Sequence, residues 1–222
     1  MSLGNDVVDL DDPETRLEVL HPRWTERVFT AAERRALEAS PVRHRLHWSL
    51  WAAKESAYKA RKRLAPGTVF SPREFAVDLA PLPASGVGVV VGRVVHRDDR
   101  FDLEVRLDRE SVHAVARGRG EASGPLLSGL GRTDRDPSLA ARRLAATTIG
   151  PALDLDPAAV EIVDRPPVAV HQDRRLDAGL SLSHHGRFVA FACSLQGFGP
   201  IRGAAAELPS LKTHAADRRA PG

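Results

Sequence analysis

The sequence predicts an α+β protein made of two similar halves, each a helix set against antiparallel strands. Three observations lead there. Residues 42–64 read as one long helix and are followed, from 68 to 117, by β-textured runs rich in valine and phenylalanine. The stretch 118–136 is rich in Gly, Ser and charge and reads as a linker. After it, the order helix and then strands appears a second time, with no repeat at the level of individual residues. The expected organisation is a first half at 1–117, a linker at 118–135, a second half at 136–200 and a disordered tail at 201–222 that is rich in Ala, Pro and charge.

The opening 3–10 is a short apolar segment punctuated by Asp6 and Asp9, with Gly4 available for a tight backbone turn that aims a carboxylate. Thr30 and Glu33 form a capping box, which starts a helix reaching about residue 39. Ser40-Pro41 breaks it. The next helix carries Leu46, Leu50, Ala53, Ala57 and Leu64 as an approximate apolar face and ends at Pro66-Gly67. Strands are expected at 75–79, 87–95, 101–107 and 112–116, with Asp98-Asp99 turning a hairpin. Asp136-Pro137 is an N-cap followed by proline in the first turn, so a helix begins there and stops at Gly150-Pro151. Strands follow at 160–163, 168–171, 180–183 and 188–195.

Composition limits the function classes. With 222 residues and 42% hydrophobic content the chain can build a sizeable core. No run approaches the roughly 18 apolar residues a membrane span needs, and the acidic opening is unlike a secretory signal, so a cytoplasmic protein is expected. The lone Cys193 has no disulfide or zinc partner and reads as a small buried hydrophobe. The net charge of +3 suits a polyanionic partner without requiring one, although Arg43, Arg45, Lys54, Lys59, Arg61, Lys62 and Arg63 cluster against a single acid, Glu55. Nucleic acid, a phosphorylated cofactor or an acidic protein surface would each fit that cluster.

Within this helix Trp51, Glu55 and Lys59 fall at i, i+4 and i+8, so a carboxylate and an ammonium share one stripe. An isolated pair of this kind is ordinarily a solvated surface contact worth about 0.3–0.5 kcal/mol. The two ends of the chain change that reading. Gly4-x-Asp6 opens the sequence, and Ser181-x-Ser183-His184 stands near its end at a turn between two strands. No G-x-S-x-G elbow accompanies the Ser-His pair, which leaves a serine hydrolase without support.

Together, Gly4-x-Asp6, Trp51-x-x-Lys54-Glu55-Ser56-x-x-Lys59 and Ser181-x-Ser183-His184 resemble the motifs of the 4'-phosphopantetheinyl transferase superfamily. The resemblance implies two α+β halves related by a pseudo-twofold axis, acting as a monomer, with coenzyme A in the cleft between them. It also implies transfer of its phosphopantetheine arm to a serine of an acyl or peptidyl carrier protein. Asp6 and Glu55 would then hold Mg²⁺, while Lys54 and Lys59 would contact the pyrophosphate and Lys59 would serve the leaving group. Ser183 and His184 would touch the cofactor. Arg165, before Pro166, would stand in for a phosphate-gripping basic residue, though Asp164 replaces the usual preceding Gly. Arg142 and Arg143 are either further contacts to the same phosphates or solvated helix charges.

Two departures from the family pattern matter. Some two-half members carry a third metal-binding acid two residues after the first, where this chain has Val8. In two-half members the Ser-His turn comes first, whereas here it comes last, which implies an exchanged order of halves. Either Glu55 or a hydroxide on the metal could take the serine proton. The rival readings are a coenzyme A-binding homologue without turnover, and a basic nucleic-acid-binding module using 43–63, which would need neither Asp6 nor Glu55.

Overall fold

In the computed structural model, residues 2–120 and 124–195 are described. The expected tail at 201–222 lies outside them, as do residues 196–200 of the expected second half. Strand β1 (Leu3–Asp9) leads through two short 3-10 turns to α1 (Trp24–Val28), α2 (Ala31–Ala39) and the long α3 (Arg43–Leu64). Strands β2 (Ala76–Leu79), β3 (Gly88–His96), β4 (Asp99–Leu107) and β5 (Ser111–Gly118) follow. They join β1 in an antiparallel sheet of order β1-β5-β4-β3-β2. The hairpin between β3 and β4 turns at Arg97-Asp98, with Arg97 at φ 55°, one residue earlier than expected.

The Thr30–Glu33 capping box is present in full, with the Thr30 amide donating to the Glu33 carboxylate at 2.7 Å. Helix α3 lies across one face of the sheet. Ala52, Ala53, Ala57 and Ala60 bring its backbone close to Val94, Phe101, Leu103, Val105, Val112, Ala114 and Ala116, all buried. The apolar face expected for α3 is shifted: Leu64 is exposed, whereas Trp48, Ser56 and Ala60 are buried. Small residues such as Ser56 and Ala60 contribute no hydropathy signal comparable to a leucine, which is why the buried stripe differs from the expected one.

The stretch expected as a linker contains a strand, β6 (Leu126–Arg132). Its glycines and serine hid it, and the structure explains their presence: a Cβ on Gly129 would meet the Phe191 ring at 2.5 Å. Helix α4 (Pro137–Ala152) has the expected Asp136 cap, whose side chain accepts from the Leu139 amide. It runs through Gly150-Pro151 to Ala152, because a proline in the last turn forfeits only one backbone bond where the helix is ending.

Strands β7 (Val160–Val163), β8 (Val168–His171) and β9 (Arg174–Arg175) form one small antiparallel sheet. Strands β10 (Ala178–His185) and β11 (Phe188–Leu195) form another with β6, in the order β10-β11-β6. Ala145 and Ile149 of α4 pack with Val160, Ala169, Leu180, Phe191 and Cys193. The Cys193 thiol is pushed up to about 12 by burial, as befits a small core residue. Both units therefore set a helix on antiparallel strands, with five strands in one sheet against two sheets of three.

Strand β1 is the element both units share. Alternation sends Gly4, Asp6 and Val8 toward α3, and Leu3, Asn5, Val7 and Asp9 toward β10 and β11. Leu3 packs with Ala192, and Val7 with Phe188 and Ala190. The free edge of β1 is closed by side chains in place of a sixth strand. The Asn5 amide donates to Ser181 Oγ (3.0 Å), the Asn5 carbonyl accepts from Lys59 Nζ (3.1 Å), and the Asp9 amide donates to His185 Nδ1 (3.2 Å).

Candidate active site

Close approach of α3 to β1 builds the site. A Cβ on Gly4 would collide with the Ser56 carbonyl and would come within 2.6 Å of the Ala60 amide. Gly4 therefore admits the helix rather than turning the strand, as its extended position in β1 requires. Two residues along the same face, Asp6 meets the helical stripe of Glu55 and Lys59. Lys59 Nζ lies 2.7 Å from Asp6 Oδ1. Neither partner is fully covered, with 32% of the lysine side chain and 14% of the aspartate exposed.

Glu55 completes the cluster. Burial, together with the Asp6 charge, pushes its carboxyl up to about 7, and Lys59 only partly offsets this. Two acids held together with one amine form a site short of positive charge. That chemistry fits a hard divalent cation, since Mg²⁺ commonly takes one or two protein carboxylates and completes its shell with phosphates and water. Among the described residues no group of three or more His, Cys, Asp or Glu side chains converges; the acids that meet here are Asp6 and Glu55. Val8 is buried against α3 and supplies no ligand.

Lys54 requires a correction. It is fully buried on another side of α3, with Nζ 2.8 Å from Glu33 Oε2 and donating to the carbonyls of Phe75 (2.6 Å) and Pro72 (3.2 Å). Burial pushes its ammonium down while Glu33 holds it up. Successive helical residues point about 100° apart, so adjacency to Glu55 in the motif did not mean a shared face. Its expected role at a pyrophosphate gives way to an internal ion pair.

The Ser-His turn is separated by strand alternation. Ser183 is buried and its Oγ accepts from Asn5 Nδ2 (2.9 Å), so this hydroxyl serves the seam with β1. His184 is exposed on the opposite face of β10, at the end of the strand. Arg165 is exposed in the turn between β7 and β8. Arg142 donates there to the carbonyls of Ile162 (2.8 Å) and Asp164 (3.1 Å).

Several residues that shape the site were not singled out from the sequence. Asn5 Nδ2 also donates to His113 Nε2 at 3.1 Å, and burial holds that imidazole neutral by pushing it down to about 3. Arg187 grips Asp9 through two bonds of 2.7 Å and reaches Asp11 at 2.9 Å. Gly186, at φ 50°, lets the turn lie against the Asp9 carboxylate, where a Cβ would meet Oδ2 at 2.6 Å. The available signal was the acid run at 9–12 facing a basic turn residue, which spacing alone could not pair. A groove of about 750 Å³ on the outer face of the five-stranded sheet, lined in part by Arg93, Arg117 and Leu126, includes none of Asp6, Glu55 or Lys59. Chemistry, not volume, locates this site.

The family model of the 4'-phosphopantetheinyl transferase superfamily matches residues 2–115, which include Gly4, Asp6, Glu55 and Lys59. The chain belongs to this superfamily. Its reaction class is accordingly phosphopantetheinyl transfer, on an α+β fold. Among solved structures, the Thermotoga maritima holo-[acyl-carrier-protein] synthase is similar at 15% identity and a TM-score of 0.37, covering 78% of this chain and 84% of that one. A search of curated proteins finds no match.

Proposed function

We propose that this phosphopantetheinyl transferase moves 4'-phosphopantetheine from coenzyme A to a serine of an acyl or peptidyl carrier protein, using Mg²⁺ and releasing 3',5'-ADP. The observation that carries the proposal is the Asp6–Glu55–Lys59 cluster: two carboxylates and an amine on adjoining elements, with burial and the Asp6 charge raising the Glu55 carboxyl to about 7. Mg²⁺ held by Asp6 and Glu55 would supply charge neutralisation at the pyrophosphate.

The serine oxygen forms a bond to the phosphorus bearing the pantetheine arm, and the bond from that phosphorus to the oxygen of 3',5'-ADP breaks. The serine gives up one proton and the departing phosphate can accept one. Lys59 donates to Asn5 O and Asp6 Oδ1, and an ammonium has three N–H groups, so one remains for a leaving oxygen. Covalent work for the protein is small, and positioning with electrostatic stabilisation dominates.

The basic helix gives little support to nucleic-acid binding. Arg45 is spent on the carbonyls of Gly86, Asp108 and Arg109, Arg61 on Asp99, Lys54 on Glu33 and Lys59 on Asp6. His47 is stacked on Trp24 and pushed down to about 3 by burial, then by the nearby His44 and Arg43 charges, so it adds no cation. No described helix is long and apolar enough to cross a membrane. Monomeric action in the cytoplasm completes the proposal.

The test is chromatographic detection of 3',5'-ADP released from coenzyme A in the presence of Mg²⁺ and an apo carrier protein. Release should match the carrier added and fall about 10²-fold or more in Glu55→Ala, with little change in melting temperature. Full activity in Glu55→Ala would remove the carboxylate pair from the account. Coenzyme A binding without release on any carrier would favour a homologue that has lost turnover.

A further inference from the structure

Asn5 stands one residue before Asp6 on β1 and is fully buried. Alternation turns its side chain away from the carboxylate cluster and toward β10. It is held there from several sides. The main-chain N–H donates to Ser181 Oγ (3.0 Å), and the two N–H groups of Nδ2 go to Ser183 Oγ (2.9 Å) and His113 Nε2 (3.1 Å). His113 belongs to β5 and the two serines to β10, so the lock draws on both units. Burial, with the Arg106 and Lys59 charges adding to it, keeps the His113 ring neutral, and a neutral ring that accepts at Nε2 carries its proton on Nδ1. The remaining side-chain atom, Asn5 Oδ1, is buried without a partner among the described residues. An unmet buried acceptor costs about 1–3 kcal/mol, which the apolar residues on the same face of β1, Leu3 and Val7, avoid. The polar side chain is therefore kept for where it puts the rest of the residue.

What the lock fixes is the Asn5 carbonyl, which accepts from Lys59 Nζ at 3.1 Å. The lysine also donates to Asp6 Oδ1 at 2.7 Å. Asp6 is the carboxylate offered to a metal ion, so the Asn5 carbonyl is the acceptor that Lys59 does not share. β1 is an edge strand, and both main-chain groups of Asn5 are spent on side chains instead of on a neighbouring strand. Without the lock this peptide could tilt, and the ammonium would turn with it. We infer that Asn5, held by His113, Ser181 and Ser183, is a positioning residue for Lys59, an inference that rests on the phosphopantetheinyl-transfer reading. Ser183 then serves the reaction from the second unit without touching the reacting atoms: through Asn5 it keeps the third N–H of the lysine aimed at the leaving oxygen. Misplacing a reacting group by about 1 Å can cost about 10²-fold in rate.

The test exploits the fact that Asn5 is the sole asparagine of the chain, so isotope-labelled asparagine gives a single main-chain carbonyl to follow by NMR in the full-length protein. Lys59→Met should move that carbonyl carbon upfield by removing its hydrogen-bond donor. His113→Leu should move it the same way, whereas His113→Gln, which restores an acceptor near Nε2, should leave it close to the wild-type position. In transfer assays with coenzyme A, Mg²⁺ and an apo carrier protein, His113→Leu and Ser183→Ala should lower kcat by about ten- to a hundredfold with KM for coenzyme A unchanged. His113→Gln should recover most of that loss. The same substitutions should have no further effect on the residual activity of Lys59→Met, because nothing is left to position. Losses that persist in that background, a raised KM at unchanged kcat in Ser183→Ala, or a carbonyl that stays in place in His113→Leu would each overturn the assignment while leaving transfer itself intact. Melting temperatures identify a variant that fails to fold, and Ser183→Ala then carries the same carbonyl and kcat comparison. No transfer by the wild type to any carrier, with the carbonyl responding as stated, would sink the transfer reading and leave the Asn5–Lys59 lock standing.

Discussion

Lys54 and Lys59 stand five residues apart on α3 and do opposite work. Lys59 reaches a partly open carboxylate, whereas Lys54 is sealed in the interior beside Glu33. Glu33 carries unusual responsibility for one side chain: it closes the capping box of α2, pairs Lys54 and accepts from the Val77 amide at 2.7 Å. Lys54→Ala should therefore destabilise the fold by about 3–5 kcal/mol, because Glu33 would be left as a buried charge without its partner. Urea unfolding checks this, and a change below about 1 kcal/mol would show that Glu33 is compensated by its backbone donors alone. The carboxylates and Lys59 were legible in the sequence because each belongs to a spaced motif. Lys54 belongs to the same motif, but the step of about 100° between neighbouring helical residues turns it away from the face that carries Glu55 and Lys59.

Among the elements, β1 and α3 matter most, and their contact depends on one missing side chain. Gly4→Ala should push α3 outward, since the helix backbone and not a flexible side-chain end stands in the way. A loss of about 1–3 kcal/mol in stability is expected from overpacking, with a larger proportional loss of transfer because Glu55 and Lys59 move with the helix. If Gly4→Ala kept both properties, the backbone contact would not be what sets the site. Most elements were readable: the capping box fixed α2, the Asp136-Pro137 cap fixed α4, and runs rich in valine and phenylalanine, alternating at 101–107, fixed β3 to β5. β6 was not, since its glycines serve the Phe191 ring and the Leu144 side chain, and such packing needs leave a pattern resembling a linker. Gly129 is informative only once its neighbour is known.

At the scale of the whole molecule, the two units are fastened along β1 by apolar contacts at Leu3 and Val7, hydrogen bonds at Asn5 between them, and an ionic contact at Asp9. Asp9 is the pH-sensitive fastening. Burial alone would raise its carboxyl, but the hydrogen bonds from the Arg187 side chain and backbone, with the Asp11 amide, hold it down at about 2. A folded pKa below the unfolded value of 3.8 means stability that is present above about 3.8 and is lost as pH falls toward 2. The shift corresponds to about 2 kcal/mol. Urea midpoints measured from pH 5 down to 2 should fall in the wild type and show a flatter acid limb in Arg187→Ala; the same slope in both would detach Arg187 from the acid response. This long-range pairing joins positions 178 apart, and no local pattern in the sequence announces it. The plan of helix on antiparallel strands was legible from period and punctuation, while the manner in which the second unit closes the free edge of β1 required the structure.

The most direct measurement is the intact mass of an apo carrier protein after incubation with this protein, coenzyme A and Mg²⁺, with and without chelator. The account predicts a gain equal to one phosphopantetheine on the carrier serine, abolished by chelator and absent with Asp6→Ala or Glu55→Ala. A gain that persists in chelator, or that survives loss of both carboxylates, would contradict it.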